Sequence, residues 1–301
     1  MGTAKVLITG VTGMLGYTLL TRLSECTNLD VYGTARSLTG LSGRFWRELL
    51  QKVVVNVDTD NFDNIIKVMA RIKPDIVINC IGIIKQAPTA KDPLTAIAVN
   101  ALWPHRLAAV CKAAGARMIH ISTDCVFNGV KGNYTESDPV DATDLYGRTK
   151  YLGEVTEPHC VTLRTSIIGH ELKGNYGLIE WFLARDEKIQ GFTKAVFSGF
   201  PTVEIARIIS DYVIPGTQLA GLYHVSSEPI SKYELLKLVA EKYGKSIEIE
   251  PDDSFYMNRA LDSTVFRRVS GYIPPSWPEL IDNMFRDYTN RVQRATKLQL
   301  E

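Results

Sequence analysis

The chain has 301 residues, 45% of them hydrophobic and 22% charged, which suits a globular protein of one large or two modest domains. The formal net charge is +1 and no Lys/Arg-rich stripe is visible, so we expect no nucleic-acid partner. We expect a cytoplasmic protein without a metal site, because no apolar run could span a bilayer, no secretory signal fits before the first strand, and the five cysteines and five histidines form no ligand-like cluster.

Hydrophobic periodicity predicts alternating strands and helices over the first 165 residues. The predicted strands are Lys5–Thr9, Asp30–Ala35, Lys52–Val57, Asp75–Cys80, Arg117–Ser122 and Cys160–Arg164. The predicted helices between them are Met14–Ser24, Phe62–Ile72, Leu94–Ala114 and Thr143–Glu157. This alternation predicts an α/β fold, a doubly wound parallel sheet of the Rossmann type with helices on both faces.

The pattern loosens after Thr165. Helices are predicted at Gly177–Arg185, Val203–Ile214, Ser231–Tyr243 and Pro278–Tyr288, with short strands at Leu222–Val225 and Ser246–Glu250. We therefore expect a cofactor domain over residues 1–165 and a smaller substrate domain over residues 166–301. Segments near 190–215 are expected to return to the cofactor domain.

A glycine-rich turn, Gly10-Val-Thr-Gly13-Met-Leu-Gly16, joins the first strand to the first helix. Glycines here permit a tight turn and a close approach of the backbone to a pyrophosphate, and the helix N-terminus offers unpaired N–H groups. The alternative is a tight turn with no ligand. Its place at the start of an alternating pattern favours a dinucleotide site, in which we expect contacts from Gly10, Thr12, Gly13, Met14 and Leu15.

Residues after the next strands indicate how the rest of the dinucleotide is held. Arg36 stands where an acidic residue would hold the ribose of NAD, so it favours NADP(H), although NAD(H) remains open. Ser37 is an alternative residue to bind the 2′-phosphate. Asp58 could accept from the adenine amino group, Gly82 lets the chain pass close to the cofactor, and Asn100 could bond the backbone near the active-site loop. The alternatives are a solvated arginine, a loop carboxylate and a locally satisfied asparagine.

A hydroxyl, a phenol and an ammonium form the candidate catalytic group. Tyr146 and Lys150 are four residues apart on a predicted helix, so their side chains share one face. The ammonium is expected to lower the pKa of the phenol from about 10. Thr123, at the end of the fifth strand, can hydrogen-bond a substrate oxygen whose charge changes during hydride transfer. Together with the glycine turn, this spacing predicts hydride chemistry.

Four motifs in order resemble the extended short-chain dehydrogenase/reductase family: Gly10-x-x-Gly13-x-x-Gly16, Ser122-Thr-Asp124-Cys-Val-Phe127, Tyr146-x-x-x-Lys150 and Leu163-Arg-Thr-Ser-Ile-Ile-Gly169. Within that family the chain is most similar to the dTDP-4-dehydrorhamnose reductase branch. The resemblance implies that NAD(P)H reduces the C4 ketone of a 4-keto-6-deoxy nucleotide sugar for polysaccharide biosynthesis. It implies that Tyr146 gives the proton, Lys150 holds the nicotinamide ribose and Thr123 positions the carbonyl, with Ser122 and Thr165 beside the cofactor. A homodimer through Leu94–Ala114 and Thr143–Glu157 is a further expectation.

Cys125 departs from the reductases, which carry Tyr there. Dehydratases carry Glu at that position, so dehydration is disfavoured. GDP-fucose synthases place a Cys two positions after the catalytic hydroxyl and pair it with a His, so Cys125 and His170 could together epimerise a nucleotide sugar. In the alternative, Cys125 fills the loop core and His170 lies on the surface. Two alternatives remain open. Arg36 counts against epimerisation with a tightly held NAD, and the retained Tyr146 and Lys150 pair counts against a non-catalytic NADP-binding sensor.

The substrate side is expected to combine catalytic residues with cations. The candidate contacts are Lys85, Thr123, Asp124, Cys125, His170 and Arg259, with Trp181 and Lys194 as further possibilities. Among the cations, Arg259 is favoured because its forked guanidinium suits a diphosphate and because it belongs to the half that should close over the nucleotide.

Overall fold

Seven parallel strands form the centre of the protein in a computed structural model that describes residues 3–41, 44–86 and 88–300. In chain order the strands are β1 Ala4–Thr9, β2 Leu29–Thr34, β3 Val53–Val54, β4 Ile76–Asn79, β5 Arg117–Thr123, β6 Cys160–Thr165, β7 Ile167–Ile168, β8 Ile189–Phe192, β9 Ala195–Phe197, β10 Phe200–Pro201, β11 Gly221–His224, β12 Ile230–Ser231, β13 Ile249–Asp252 and β14 Met257–Asn258. The large sheet has the order β3-β2-β1-β4-β5-β6-β11. This order reverses direction between β1 and β4, where doubly wound folds bind ligands, and it confirms the predicted fold class.

The helices are α1 Met14–Leu23, α2 Arg47–Gln51, α3 Phe62–Ile72, α4 Pro93–Ala96, α5 Trp103–Ala114, α6 Leu145–Leu152, α7 Leu178–Leu183, α8 Thr202–Ile208, α9 Lys232–Tyr243, α10 Thr264–Ser270 and α11 Trp277–Leu300. A π-helical turn over Ile97–Leu102 joins α4 to α5, and a second over Ile209–Val213 extends α8. Within the described residues, no helix is both long and apolar enough to cross a membrane.

The two faces of the sheet bury two separate hydrophobic cores. Because side chains alternate along a strand, Val6 and Ile8 of β1 pack in the core beside α1 and α8, whereas Leu7 packs in the core beside α3 and α5. Both faces are covered, so the central strands read as continuous apolar runs.

The second half of the chain builds small sheets beside the large one. These pair β10 with β7, β9 with β12 and β14, and β13 with β8. The segment 202–224 lies with the first half instead, because α8 packs against α1 and β11 pairs in parallel with β6. The carboxyl ends of the large sheet therefore face the small sheets, and the candidate site lies between them.

Several predicted elements are shorter than expected, two of them markedly so. The helix predicted at Thr143–Glu157 covers only Leu145–Leu152, and it ends at Gly153, where any side chain would clash with the backbone carbonyl of Asn100. The strand predicted at Lys52–Val57 is reduced to Val53–Val54, because Asn56 adopts a left-handed φ of 61° that interrupts the extended chain.

Candidate active site

The glycine turn after β1 brings the start of α1 close to the strand. Gly10 has a φ of +78°, which L side chains rarely adopt, and its N–H donates to the Thr34 carbonyl at 3.0 Å. A side chain on Gly16 would clash with the Gly10 carbonyl. Gly13 caps α1 without a side-chain hydrogen bond and no acidic residue occupies the first turn, so the N–H groups there remain available to an anion.

Three other predicted turn contacts flank that anion site. Thr12 and Met14 are half-buried beside the exposed Gly13, and Leu15 turns into the core. Met14 also reaches the second half of the chain, because a Cβ on Gly169 would lie 3.3 Å from its sulfur and one on Gly177 would lie 3.1 Å from its methyl carbon. The turn thus lies at the junction of the two halves.

The carboxyl end of β2 supplies a free cation. Arg36 is exposed, and none of the described residues forms an ion pair with it, so its guanidinium can meet a 2′-phosphate. The Ser37 hydroxyl accepts from the Thr39 N–H at 3.0 Å, and one Asp58 oxygen accepts from the Asn61 N–H at 2.8 Å. The Ser37 hydroxyl also bonds the Thr39 hydroxyl at 2.8 Å. Ser37 and Asp58 therefore stabilise local turns, while Asp58 Oδ2 accepts from none of the described residues and can meet a ligand.

A buried amide holds the loop after β4 beside the catalytic lysine. Asn100 is 1% exposed; its Oδ1 accepts from the Ile83 N–H at 2.8 Å and its Nδ2 donates to the Ile83 carbonyl at 3.3 Å. A Cβ on the exposed Gly82 would lie 3.9 Å from the Lys150 ammonium nitrogen. The absence of a side chain at Gly82 leaves space for a ligand next to that ammonium.

Strand β5 and helix α6 bring Thr123, Tyr146 and Lys150 together. The Thr123 hydroxyl is near enough to the Tyr146 phenol to act on its pKa, and it donates to Asp124 Oδ1 at 3.1 Å and accepts from the Cys125 N–H at 3.1 Å. The Lys150 ammonium donates to the Ile121 carbonyl at 2.8 Å. Asp144 caps α6 by accepting from the Gly147 N–H at 2.8 Å. A side chain on Gly147 would clash with the Cys125 carbonyl, so glycine after the tyrosine allows α6 to approach the turn Asp124–Val126 that follows Thr123, which we call the catalytic turn.

Burial sets the protonation of this group. It raises the pKa of Tyr146 above its ordinary value, with a further contribution from the nearby Cys125 and an opposing one from the Thr123 hydrogen bond. Burial also lowers the pKa of Lys150 to about 8, against the opposing charge of Glu154. The expectation that the phenol pKa is lowered is wrong for this arrangement, because burial dominates and Lys150 is not among the groups that act on the phenol. A protonated phenol suits a proton donor.

The Ser122 hydroxyl is engaged by a carboxylate of the protein. It donates to Glu154 Oε1 at 2.7 Å, and Arg164 donates to the two oxygens of the same carboxylate at 2.7 Å each. Both charged side chains are buried. This network connects β5, β6 and the residue Glu154 that follows α6, and Ser122 takes part in it. Glu154, four residues after Lys150, is a positioning residue that the sequence did not indicate.

Thr165 ends β6 directly opposite Thr123 in the parallel register. It is buried, and its hydroxyl donates to the Ser166 carbonyl at 3.3 Å. It therefore lies at the same edge of the sheet as the catalytic group.

Cys125 contacts an arginine from the second half of the chain. Arg259 Nη1 donates to the Cys125 sulfur at 3.3 Å, and its Nε donates to the Phe127 carbonyl at 2.8 Å. Burial and the neighbouring Asp124 raise the pKa of the thiol to about 12. Burial likewise raises the pKa of Asp124, while Arg259 and Lys232 act in the opposite direction. The thiol is thus kept protonated, and Arg259 is tied to the catalytic turn.

His170 is not brought to Cys125. Its Nδ1 lies 2.6 Å from Glu180 Oε1 and its Nε2 lies 2.7 Å from the Tyr243 hydroxyl, and its ring stacks on Tyr288 at 3.9 Å. At 3% exposed it is not a surface residue either. Because both ring nitrogens are engaged within the second half, the predicted Cys–His pair for epimerisation does not form.

A cavity of about 380 Å³ opens between the two halves. Its walls are aromatic and apolar with two amides and one cation: Gln86, Tyr176, Leu178, Trp181, Gln190, Phe192, Ala195, Lys232, Leu236, Phe255 and Met257. Trp181 was anticipated as a substrate contact, whereas Lys232 was not. Of the other predicted cations, Lys85 pairs with Asp144 at 2.7 Å and the exposed Lys194 pairs with Asp253 at 3.1 Å.

The chain is similar to known proteins over most of its length. Residues 4–289 match the family model described as the RmlD substrate binding domain. The dTDP-4-dehydrorhamnose reductase of Aggregatibacter actinomycetemcomitans is 26% identical over 93% of this chain and 98% of its own length. The methionine adenosyltransferase 2 subunit beta of Xenopus tropicalis is 25% identical over 94% of this chain and 90% of its own length.

The fold is also that of solved structures. The crystal structure of dTDP-4-dehydrorhamnose reductase from Bacillus anthracis in complex with NADP superposes with a TM-score of 0.76 at 24% identity, covering 95% of this chain and 100% of that one. The family model spans nearly the whole chain, and the motifs predicted from sequence lie together at one edge of the sheet. The predicted resemblance is therefore confirmed, and the chain belongs to the RmlD substrate binding domain family.

Proposed function

We propose that the protein is an NADPH-dependent reductase of the C4 ketone in a nucleoside-diphosphate 4-keto-6-deoxy sugar. The observation that carries the proposal is the joint placement of Thr123, Tyr146 and Lys150 at the carboxyl edge of β5 and α6, beside a glycine turn built for an anion. Several relatives named dTDP-4-dehydrorhamnose reductase support it.

The residues present fit a nicotinamide dinucleotide. The uncapped start of α1 at Gly13 would hold the pyrophosphate, and the unpaired Arg36 would hold a 2′-phosphate. The space at Gly82, next to the Lys150 ammonium, would receive the nicotinamide ribose. When bound, NADPH supplies the hydride.

The catalytic residues manage the charge on the ketone oxygen. Thr123 and Tyr146 offer neighbouring hydroxyl groups, so a carbonyl oxygen placed between them would meet two donors once the Thr123 hydroxyl rotates away from Asp124. As hydride adds to C4, negative charge grows on that oxygen and Tyr146 transfers its proton to it, which forms the alcohol. The Lys150 ammonium lies one helical turn away and stabilises the resulting phenolate until water reprotonates it.

Two other functions are weaker on the same geometry. Epimerisation by Cys125 and His170 lacks its acid–base pair, because His170 is engaged by Glu180 and Tyr243. One observation favours a non-catalytic role: a relative of this chain, the methionine adenosyltransferase 2 subunit beta, is not named as a reductase. A sensor would not require a proton donor, yet this chain keeps Tyr146 near Thr123 and keeps Lys150 on the same helix as Tyr146.

A direct assay tests the reductase. Purified protein is mixed with NADPH and with each of a panel of dTDP-, UDP- and GDP-linked 4-keto-6-deoxy sugars, followed by NADPH absorbance and product mass. We expect NADPH loss in equal amount to a product two hydrogen atoms heavier, with NADPH preferred over NADH because of Arg36. Tight NADPH binding without consumption on any sugar of the panel would contradict the reductase and favour the sensor.

The cellular setting we propose is the cytoplasm. Cys26, Cys80, Cys111, Cys125 and Cys160 are all free thiols, which fits a reducing compartment. Fractionation of the source cells, followed by detection of the protein, tests this.

We also propose a homodimer. Five large apolar side chains are exposed on the adjacent helical segments 93–102 and 145–152, namely Leu94, Ile97, Leu102, Tyr151 and Leu152. An isologous pairing of these helices would bury them. We expect the double variant Leu102→Glu/Leu152→Glu to halve the mass measured by light scattering. Ile273→Glu, which alters an 81% exposed apolar residue elsewhere, should leave the mass unchanged; a wild-type monomer would refute the proposal.

A further inference from the structure

Lys232, the first residue of α9, is a half-buried cation that has no anionic partner among the described residues. Its ammonium lies 3.7 Å above the centroid of the Phe197 ring, and none of the described residues forms an ion pair or hydrogen bond with it. Lys237, farther along the same helix, instead pairs with Glu234 at 3.6 Å. Keeping an ammonium partly out of water without an acceptor is unfavourable, so such a group marks a ligand site.

The surroundings of Lys232 show where that ligand lies. Its charge acts on Asp124 and Cys125, which belong to the turn that follows Thr123. The same side chain lines the cavity formed by Trp181, Phe192 and the other residues given above. Lys232 therefore stands between the catalytic group and the cavity.

The local charge balance favours an anion. Lys232 and Arg259 both act on the single buried carboxyl of Asp124. Burial lowers the pKa of Lys232 to about 8, while Asp124 and Cys125 oppose that shift. Asp144 also acts on Arg259, but it is paired with Lys85 at 2.7 Å, so these two charges offset each other. The remaining two cations and one carboxyl, itself made less acidic by burial, leave positive charge for a ligand.

The structure assigns Lys232 as the residue that binds the diphosphate of the nucleotide sugar. The inference rests on the proposed function and adds the anchor of its substrate. A diphosphate joins the sugar to the nucleoside, so with the sugar at Tyr146 the diphosphate must lie where the catalytic turn meets the cavity. Lys232 occupies that place, and the aromatic walls beyond it provide surfaces on which a nucleobase can stack.

The test compares Lys232→Met, which removes the charge at similar length, with Lys237→Met as the matched control on the same helix. Calorimetry measures the binding of dTDP, UDP and the corresponding nucleosides. We expect Lys232→Met to weaken diphosphate binding about 10- to 100-fold, as for loss of a charged hydrogen bond, and to leave nucleoside binding unchanged. Lys237→Met should bind like wild type.

Further readouts separate this role from a structural one. Lys232→Met should keep the NADPH affinity of wild type, and KM for the sugar should rise about as much as diphosphate binding falls, with kcat within about twofold. Lys232→Arg should restore most of the diphosphate affinity, since it keeps the charge.

Each outcome bears on one claim. Diphosphate binding by Lys232→Met equal to that of wild type, or no diphosphate binding by wild type, overturns the assignment. A wild-type protein that binds dTDP or UDP through Lys232 but reduces no 4-keto sugar keeps the anchor and refutes the reductase.

Discussion

Tyr146→Phe is expected to lower kcat by about 10²- to 10⁴-fold, the usual contribution of a positioned proton donor, and to leave NADPH affinity nearly unchanged. The variant removes one hydroxyl and little contact area. Because burial holds the Tyr146 pKa above its ordinary value, the phenol is protonated throughout the neutral range, so the loss should be similar at every pH at which the enzyme is active.

Single-turnover mixing of the NADPH-loaded protein with substrate measures this step apart from product release. Tyr151→Phe is the control, because that tyrosine lies on the same helix but is 47% exposed. If Tyr146→Phe turned over as fast as Tyr151→Phe, another group would have to donate the proton, and the assignment would fail.

Lys150→Met is expected to damage both turnover and NADPH binding. The variant removes the cation beside the phenol and, in our proposal, a donor to the nicotinamide ribose. We expect a loss of at least about 100-fold in kcat/KM, of the order reported for other positioned catalytic groups. Lys112→Met, an exposed lysine on α5, serves as the control.

Through Lys150, a rise in pH is expected to lower the activity and to raise the folding stability. Its pKa of about 8 in the folded protein lies below the ordinary value of 10.5. Activity that needs the ammonium should therefore fall as pH rises through about 8. Between about 8 and 10.5 the unfolded chain binds the proton more tightly, so the contribution of Lys150 to folding stability should rise with pH.

Two measurements check these signs. The activity profile is best recorded in Lys232→Arg, so that the second lysine with a pKa of about 8 does not titrate. The Tm difference between wild type and Lys150→Met should move in favour of wild type as pH rises above 8. A flat difference would mean that Lys150 titrates near its ordinary value.

Much of the site follows from local sequence. The glycine turn, the strand before it and the amphipathic helix after it are short-range patterns, and α3 was predicted at its observed bounds, Phe62–Ile72. Tyr146 and Lys150 share a face because of helical spacing alone. Thr123 ends a strand parallel to β1, so its arrival at the same edge of the sheet follows from the fold class.

Other features depend on residues far apart in the chain. Ser122 donates to Glu154, which forms a buried ion pair with Arg164. The C-terminal end of α6 is fixed by the contact of Gly153 with the Asn100 carbonyl. The His170 ring nitrogens contact Glu180 and Tyr243 and not Cys125. No periodicity could indicate these partners.

The sequence by itself determined the α/β architecture, the dinucleotide turn and the phenol–ammonium pair, because each arises from hydrogen bonding and side-chain spacing within a few consecutive residues. Only the tertiary structure decided the protonation of Tyr146, the isolation of His170 and the unpaired charge of Lys232. Those properties depend on burial and on which distant groups share a low-dielectric space, and both are fixed when the two halves of the chain pack together.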